Sequence, residues 1–316
     1  MRRNEVLAFL AISFTGAWLA VLPLWLNGFR RTSTDQGASP LAAVCLMAMM
    51  LVPALAAIAL TVRHQGVRGT ARVLGLSRAL PWRREVTFTM VAVAVPLTLT
   101  AGGLALSTAA GWYSPGGAPE ITPLLISAAV SIPLYFGEEL GWQGYLLPRL
   151  LRFGTVRGLL LGGVIWGLWH APMTALGGSY PGRPVWVAIP AAVVSAVLIG
   201  TVIAGVRLAT GSVWAAVAAH LSLNEFALPL TTELSDRPVD PLLAGPLSLP
   251  TWVVTAVVLL CSVRVVRAVV SEQARHRAQP QAEQHLQPHV AQEPGHLGEQ
   301  PQPVAAAGSA QREPGE

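Results

Sequence analysis

Long apolar blocks, separated by short polar or charged segments, dominate the first 270 residues of the chain. Each block is about 20 residues long, the length that an α-helix needs to cross a hydrocarbon layer of roughly 30 Å. The pattern therefore predicts an all-α fold, a polytopic transmembrane helical bundle of about eight spans around a polar intramembrane cavity. The predicted spans are Val6–Leu26, Pro40–Val62, Val86–Ala109, Ile121–Leu147, Leu159–Leu176, Val185–Val206, Ser212–Leu230 and Pro250–Val270.

The last part of the chain differs in composition from these blocks. Residues 271–316 are rich in Gln, Pro, Glu and His, so they cannot bury enough apolar surface to fold, and we expect a disordered cytoplasmic tail. Residues 1–270 form the predicted transmembrane domain. The whole chain is 53% hydrophobic and 12% charged, about half the charged fraction of a soluble domain, which supports a membrane protein.

The distribution of arginine predicts how the bundle is oriented. Sixteen arginines fall in the N-terminal segment, in alternate loops and directly after the last span, whereas four fall in the remaining loops. Because cytoplasmic loops are enriched in basic residues, this bias predicts a multi-pass protein of a bacterial-type cell membrane with both termini in the cytoplasm. The net charge of +5 is thus explained by topology and contact with membrane lipids, and it does not indicate a nucleic-acid partner.

A few ionisable side chains are predicted to lie deep inside the spans. Such groups cost several kcal/mol in hydrocarbon and usually face a protein interior or a water-filled cavity, where most have a function. They are Glu138, Glu139, His170, His220 and Glu225.

Two pairs of polar or aromatic residues share a helix face. Trp166 and His170 are four residues apart, as are His220 and Asn224, and this spacing places each pair on one side of its helix. An imidazole and an amide aligned in this way can both donate hydrogen bonds to a developing oxyanion. The alternative is a structural role as hydrogen bonds between helices. Glu225 points about 100° away from Asn224, so we leave it out of the predicted site.

The adjacent carboxyl groups of Glu138 and Glu139 disfavour each other's charged form in hydrocarbon, which suits one of them to act as a general base. The alternative is a buried pair that only holds helices together. A rise of 1.5 Å per residue places Glu138, His170 and His220 at a similar depth. We expect them to share one cavity that opens toward the cytoplasm.

Three motifs in this order resemble the CAAX protease and bacteriocin-processing (CPBP) family of intramembrane proteases, which includes type II CAAX prenyl endopeptidases. A Glu-Glu-xxx-Arg element is represented by Glu138 to Gln143, an aromatic-xxx-His element by Trp166 to His170, and a His-xxx-Asn element by His220 to Asn224. Together the motifs cover roughly residues 120–230.

This resemblance implies roles for the predicted catalytic residues. Glu138 would activate a water for attack on the scissile carbonyl, and His170 would position that water. His220 and Asn224 would stabilise the oxyanion. Glu138, His170 and His220 would also be the ligands if a zinc ion takes part. A metal-free mechanism uses the same residues, and the sequence leaves both versions open.

One position departs from the family pattern. The family arginine, which would pair with Glu139, is Gln143 in this chain, and glutamine offers only a neutral hydrogen bond.

Three functions remain open at this stage. The first is an intramembrane endopeptidase acting on a membrane-anchored peptide or protein, such as a prenylated CAAX-like or bacteriocin-like substrate. The second is a non-catalytic membrane immunity or binding protein of the same fold. The third is a proton-coupled transporter, which the absence of internal sequence repeats disfavours.

Overall fold

The computed structural model describes residues 3–33, 39–76 and 81–264, and the predicted tail at 271–316 lies outside them. Their regular structure is helical, with a single isolated bridge between Pro115 and Ser235. The α-helices are α1 (Arg3–Leu26), α2 (Pro40–Val73), α3 (Trp82–Ala109), α4 (Ile121–Glu139), α5 (Leu147–Leu150), α6 (Thr155–Trp169), α7 (Ala171–Ala175), α8 (Val185–Thr210), α9 (Val213–Ser222), α10 (Leu228–Glu233) and α11 (Leu249–Arg264). A π-helical segment at Leu140–Leu146 joins α4 to α5, and another at Leu223–Ala227 joins α9 to α10.

The all-α polytopic architecture is confirmed, whereas the count of eight spans is not. Within the described residues, six helices are long and apolar enough to cross a membrane, and α6 and α11 are shorter apolar helices. The predicted fifth span divides at His170, where α6 ends and α7 begins. Pro172 explains this division because proline lacks the N–H that would continue the helical hydrogen bonds.

Close packing between α6 and α8 follows from glycine. A Cβ atom at Gly167 would lie 2.7 Å from the Val193 Cα atom, so only glycine allows the two backbones this approach. The same holds for α4 and α2, since a Cβ atom at Gly137 would lie 2.8 Å from the Met50 carbonyl oxygen. These contacts hold α4, α6 and α8 around the polar residues.

A buried aromatic layer supports the polar residues from the side of α1. Phe9 stacks on Tyr145 with ring centroids 4.8 Å apart and meets the edge of Trp142 at 5.6 Å. Trp142 in turn contacts Trp169 at 5.4 Å. Trp169 Nε1 donates a hydrogen bond to the Ser13 carbonyl oxygen at 3.0 Å, which fixes the end of α6 against α1.

Candidate active site

The predicted site residues come together between α4, α6, α9 and the π-helical segment that follows α9. We refer to the following set as the polar site: Glu138, Glu139, His170, His220 and Asn224.

Glu138 is held by a tryptophan from a neighbouring helix. It lies at the end of α4 and is 1% exposed, and its Oε2 atom accepts a hydrogen bond from Trp166 Nε1 at 2.9 Å. The Trp166 ring meets the rings of His170 and His220 edge-on, with centroid distances of 5.3 Å and 5.2 Å. Trp166 therefore occupies the centre of the polar site, although the sequence identified it only as part of a motif.

His170 lies at the break between α6 and α7 with one ring nitrogen fixed. Its Nδ1 atom is 2.9 Å from the carbonyl oxygen of Trp166, one turn earlier, and a carbonyl can only accept. The proton of the neutral ring is thus on Nδ1, and Nε2 carries the free lone pair. This Nε2 atom is 4.0 Å from Glu138 Oε2, and the His170 side chain is 27% exposed.

Glu139 and His220 form a second pair of an acid and an imidazole. His220 Nδ1 is 2.7 Å from Glu139 Oε1, and the side chains are 2% and 1% exposed. The carboxyl group fixes the ring orientation and leaves Nε2 of His220 for other partners. Each of the adjacent glutamates therefore serves a different histidine.

A cavity of about 90 Å³ brings three of the polar-site residues to a common surface. His170, His220 and Asn224 line it together with Trp166, whereas Glu138 is not in the lining and lies beyond the Trp166 indole. Small side chains of α8 form much of the remaining wall, which two loop residues and one residue of the π-helical segment complete. These wall residues are Ser179, Ala192, Ser195, Ala196, Ile199, Leu223 and Leu247.

The cavity extends toward the loops that contain Ser179 and Leu247, at the end of the bundle where α8 and α11 begin. The expected opening of this cavity toward the cytoplasm stays a prediction.

A hydrogen-bond network closes the loop end of the cavity. The Tyr180 hydroxyl is 2.8 Å from Ser195 Oγ and donates to the Leu247 carbonyl oxygen at 2.6 Å. Trp252 Nε1 donates to the same Ser195 oxygen at 2.7 Å. Burial raises the pKa of the Tyr180 hydroxyl well above its ordinary value, so it remains a neutral donor.

The position that departs from the family pattern has unpaired buried atoms. Gln143 lies in the π-helical segment at Leu140–Leu146, four residues after Glu139. Its Oε1 atom is buried without a hydrogen-bond partner, and so is Glu139 Oε2. In this chain His220, rather than an arginine, is the side chain hydrogen-bonded to Glu139.

Two further residues join the polar site that the sequence analysis did not include. Tyr135, one turn before Glu138, packs its ring against His220 with a centroid distance of 4.9 Å. Its hydroxyl donates to Glu225 Oε1 at 2.5 Å. Glu225 was set aside because it points away from Asn224, and it reaches the polar site instead through the Tyr135 hydroxyl.

The ligand set proposed for zinc is not assembled in the described part of the chain, where no group of three or more His, Cys, Asp or Glu side chains is placed to hold a metal ion. The paired geometry explains this, because His220 faces Glu139 rather than Glu138. In this arrangement the three residues do not form a zinc triad. Zinc binding by Glu138, His170 and His220 stays a prediction.

The helical membrane fold, with acid and imidazole pairs buried between its helices, defines the class of protein as a multi-pass membrane protein with a polar intramembrane site. Residues 120–226 match the family model described as Type II CAAX prenyl endopeptidase Rce1-like. This match confirms the resemblance to the CAAX protease family for the segment that carries all three motifs. No curated protein matches the chain.

Proposed function

We propose that this protein is an intramembrane endopeptidase that hydrolyses a peptide bond of a membrane-associated substrate. The observation that carries the proposal is the 4.0 Å separation between Glu138 Oε2 and His170 Nε2, beside a cavity shared with His220 and Asn224. The family match over residues 120–226 supports the same class of reaction.

The gap between Glu138 and His170 suits one water molecule. A distance of 4.0 Å is too long for a direct hydrogen bond, but a water at about 2.8 Å from each atom spans it. His170 Nε2 accepts one hydrogen of this water, and the Glu138 carboxylate accepts the other. Glu138 takes up the proton as the water oxygen attacks the carbonyl carbon, and Trp166 Nε1 stabilises the carboxylate beforehand.

His220 and Asn224 are the proposed donors to the oxyanion. In the imidazolium form of His220, Nδ1 donates to Glu139 and Nε2 carries a second proton. Hydrogen bonds from His220 Nε2 and the Asn224 amide then stabilise the negative charge of the tetrahedral intermediate in a site of low dielectric. When the intermediate collapses, Glu138 returns its proton to the leaving amine, so hydrolysis consumes one water and regenerates the site.

The substrate class follows from where the site lies. A peptide bond reaches the polar site only if its segment is held at membrane depth, by a lipid modification or by its own apolar residues. Prenylated CAAX-like and bacteriocin-like segments both meet this condition. Exclusion of bulk water strengthens each charge interaction at the reacting bond.

Hydrolysis by purified protein in liposomes tests the proposal. The probe is a quenched fluorescent peptide that ends in a farnesylated CAAX sequence, beside the same peptide without the lipid. We expect cleavage that falls at least about 10²-fold in Glu138→Gln and in His170→Ala, as for loss of a general base. His64→Ala is the matched control, because His64 lies outside the polar site with its side chain 41% exposed. Equal cleavage by all variants contradicts the assignment.

Two observations favour a second function, that of a non-catalytic immunity or binding protein. Gln143 replaces the family arginine, and Glu138 lies outside the cavity lining. Binding of the farnesylated peptide without cleavage, equally strong in wild type and Glu138→Gln, would establish this alternative.

A further inference from the structure

A second cavity lies beside the polar site, between the π-helical segment Leu140–Leu146 and helices α5, α6 and α8. Its volume is about 30 Å³, and Trp166 lines both this cavity and the one that His170 and His220 line. Its lining continues along α6 as far as Gly158, eight residues or about 12 Å before Trp166. The indole that binds Glu138 is therefore a wall common to both cavities.

Two polar groups of residues that line the second cavity have no hydrogen-bond partner among the described residues. They are Trp142 Nε1, an N–H group that can only donate, and Gln143 Oε1, a carbonyl oxygen that can only accept. Trp142 is 4% exposed and Gln143 is 8% exposed. Buried polar groups nearly always bind another polar group or an ordered water, so both of these groups call for a partner.

Water has the size and the hydrogen-bonding roles that these two groups require. A cavity needs about 10–15 Å³ of accessible space to hold one water molecule, so about 30 Å³ accommodates one or two. A single water molecule can accept from Trp142 Nε1 and donate to Gln143 Oε1. A purely apolar cavity would stay dry, whereas an amide and an indole N–H at its edge favour a bound water.

The position of the second cavity also matches a need of the proposed reaction. Each cleavage consumes one water at Glu138, yet Glu138 does not line the cavity of His170 and His220. The second cavity reaches Trp166, whose Nε1 atom donates to Glu138 Oε2 at 2.9 Å. It therefore lies one side chain away from the carboxylate that activates water in the proposed mechanism.

We infer that the second cavity is a binding site for one or two water molecules held by Trp142 and Gln143, and that it supplies the water consumed at Glu138. The supply of water rests on the proposed function, whereas the binding site does not. Substrate and water then approach the polar site through two separate cavities on either side of Trp166.

Two substitutions fill the second cavity from different helices, so the test survives if one variant does not fold. A Cβ atom at Gly162 meets only Leu150 Cδ1, at 3.6 Å, which leaves room for the larger side chain of Gly162→Leu to occupy the cavity. Ala204→Leu occupies it from α8. Gly205→Leu is the matched control, because a Cβ atom there has no described atom within 4 Å and Gly205 lines neither cavity.

Water at the Trp142 indole is measurable without a substrate. Water-edited solid-state NMR of the full chain in liposomes, labelled with ¹⁵N-tryptophan, reports which indole N–H groups receive magnetisation from water, and Trp142→Phe and Trp169→Phe assign two of them. We expect transfer to Trp142 in the wild type and in Gly205→Leu, and its loss in Gly162→Leu and Ala204→Leu. Trp169 is the internal reference without water, since its buried indole donates to a backbone carbonyl oxygen.

Kinetics with the farnesylated peptide test the supply of water. Both filling variants should lower kcat at least about tenfold with KM almost unchanged, because neither residue lines the cavity of His170 and His220. Gly205→Leu should cleave at the wild-type rate. Melting temperatures of the three variants in one detergent identify any loss of kcat that comes from unfolding.

Transfer to Trp142 that is no stronger than transfer to Trp169 in the wild type would overturn the water site. Transfer at wild-type strength in both filling variants would overturn it as well, because the water would then lie elsewhere. A hydrated wild type with unchanged kcat in both filling variants would overturn the supply alone. If the wild-type protein cleaves no peptide, the proposed function fails, and the NMR measurement still decides the water site.

Discussion

The Nδ1 atom of His220 and the Oε1 atom of Glu139 are 2.7 Å apart, and almost no solvent reaches either side chain. A buried acid and imidazole at this distance depend on each other. Removal of one leaves the other unpaired at a depth where no water replaces the lost partner. This pair separates the role of Glu139 from that of Glu138, although the two residues are adjacent in the sequence.

The first prediction concerns the stability of this pair. Glu139→Leu removes the acceptor and leaves a buried imidazole N–H unpaired, so we expect the free energy of unfolding to fall by about 3 kcal/mol. Thermal or denaturant unfolding in detergent measures the loss. The double variant Glu139→Leu/His220→Leu should regain most of the lost stability. A loss in the double variant equal to the sum of the losses in the two single variants would contradict the pairing.

The second prediction concerns the indole that binds Glu138. Trp166→Phe keeps an aromatic ring between His170 and His220 but removes the Nε1 donor, so Glu138 loses a buried partner. We expect a loss of about 1–3 kcal/mol in stability and a fall in kcat. Trp169→Phe is the matched control, because its indole binds the Ser13 carbonyl oxygen and not a carboxyl group. If both variants lower kcat to the same extent, the Trp166 hydrogen bond has no specific role in the reaction.

A third prediction tests the close packing of α6 on α8. Gly167→Ala forces a Cβ atom to within 2.7 Å of the Val193 backbone, and we expect it to cost about 1–3 kcal/mol. Gly162→Ala on the same helix meets only the flexible Leu150 side chain, at 3.6 Å. That change should be neutral or stabilising by about 0.5–1 kcal/mol, since alanine favours the helix. The melting temperatures of the two variants in one detergent compare them directly, and equal melting temperatures would show that α6 and α8 can separate at no cost.

The fourth prediction addresses the metal. The proposed mechanism uses Glu138 and His170 without a bound ion, so on that proposal purified protein should contain far less than one equivalent of zinc. Elemental analysis of the full chain measures this content, and cleavage of the farnesylated peptide should persist after treatment with a chelator. Stoichiometric zinc that is lost together with activity in His170→Ala and His220→Ala would instead establish the zinc ligand set.

Much of the fold was predictable because membrane helices leave a strong signal. The length of the apolar blocks gave the helical class, and most predicted spans correspond to long helices of the bundle. The prediction of one continuous helix for the fifth apolar block was wrong, because the block remains apolar through His170 and Pro172 whereas its helix ends there. Hydropathy reports the environment of a segment and not its hydrogen bonding.

The residues of the polar site were predictable from the sequence, but the pairs that they form with each other were not. Intramembrane glutamates and histidines are rare, so their presence alone identified Glu138, Glu139, His170 and His220. Which carboxyl group meets which histidine depends on helix rotation, and a sequence carries little information on that. Glu225 was set aside because it points away from Asn224, whereas its contact with the site is made through Tyr135 of α4, which depends on how the helices pack.

Two of the helices that supply the polar site, α4 and α9, change their winding next to it, at Leu140–Leu146 and at Leu223–Ala227. Each helix is thereby divided into two stretches whose side chains point in independent directions. The residues beyond the wide turn can therefore face the lipid, and they do not determine the direction of Glu138 or His220. If either segment were wound as a regular α-helix with the same residues, every later side chain would be rotated relative to those before the wide turn. The number of residues in these turns, more than their identity, keeps the reacting groups directed inward.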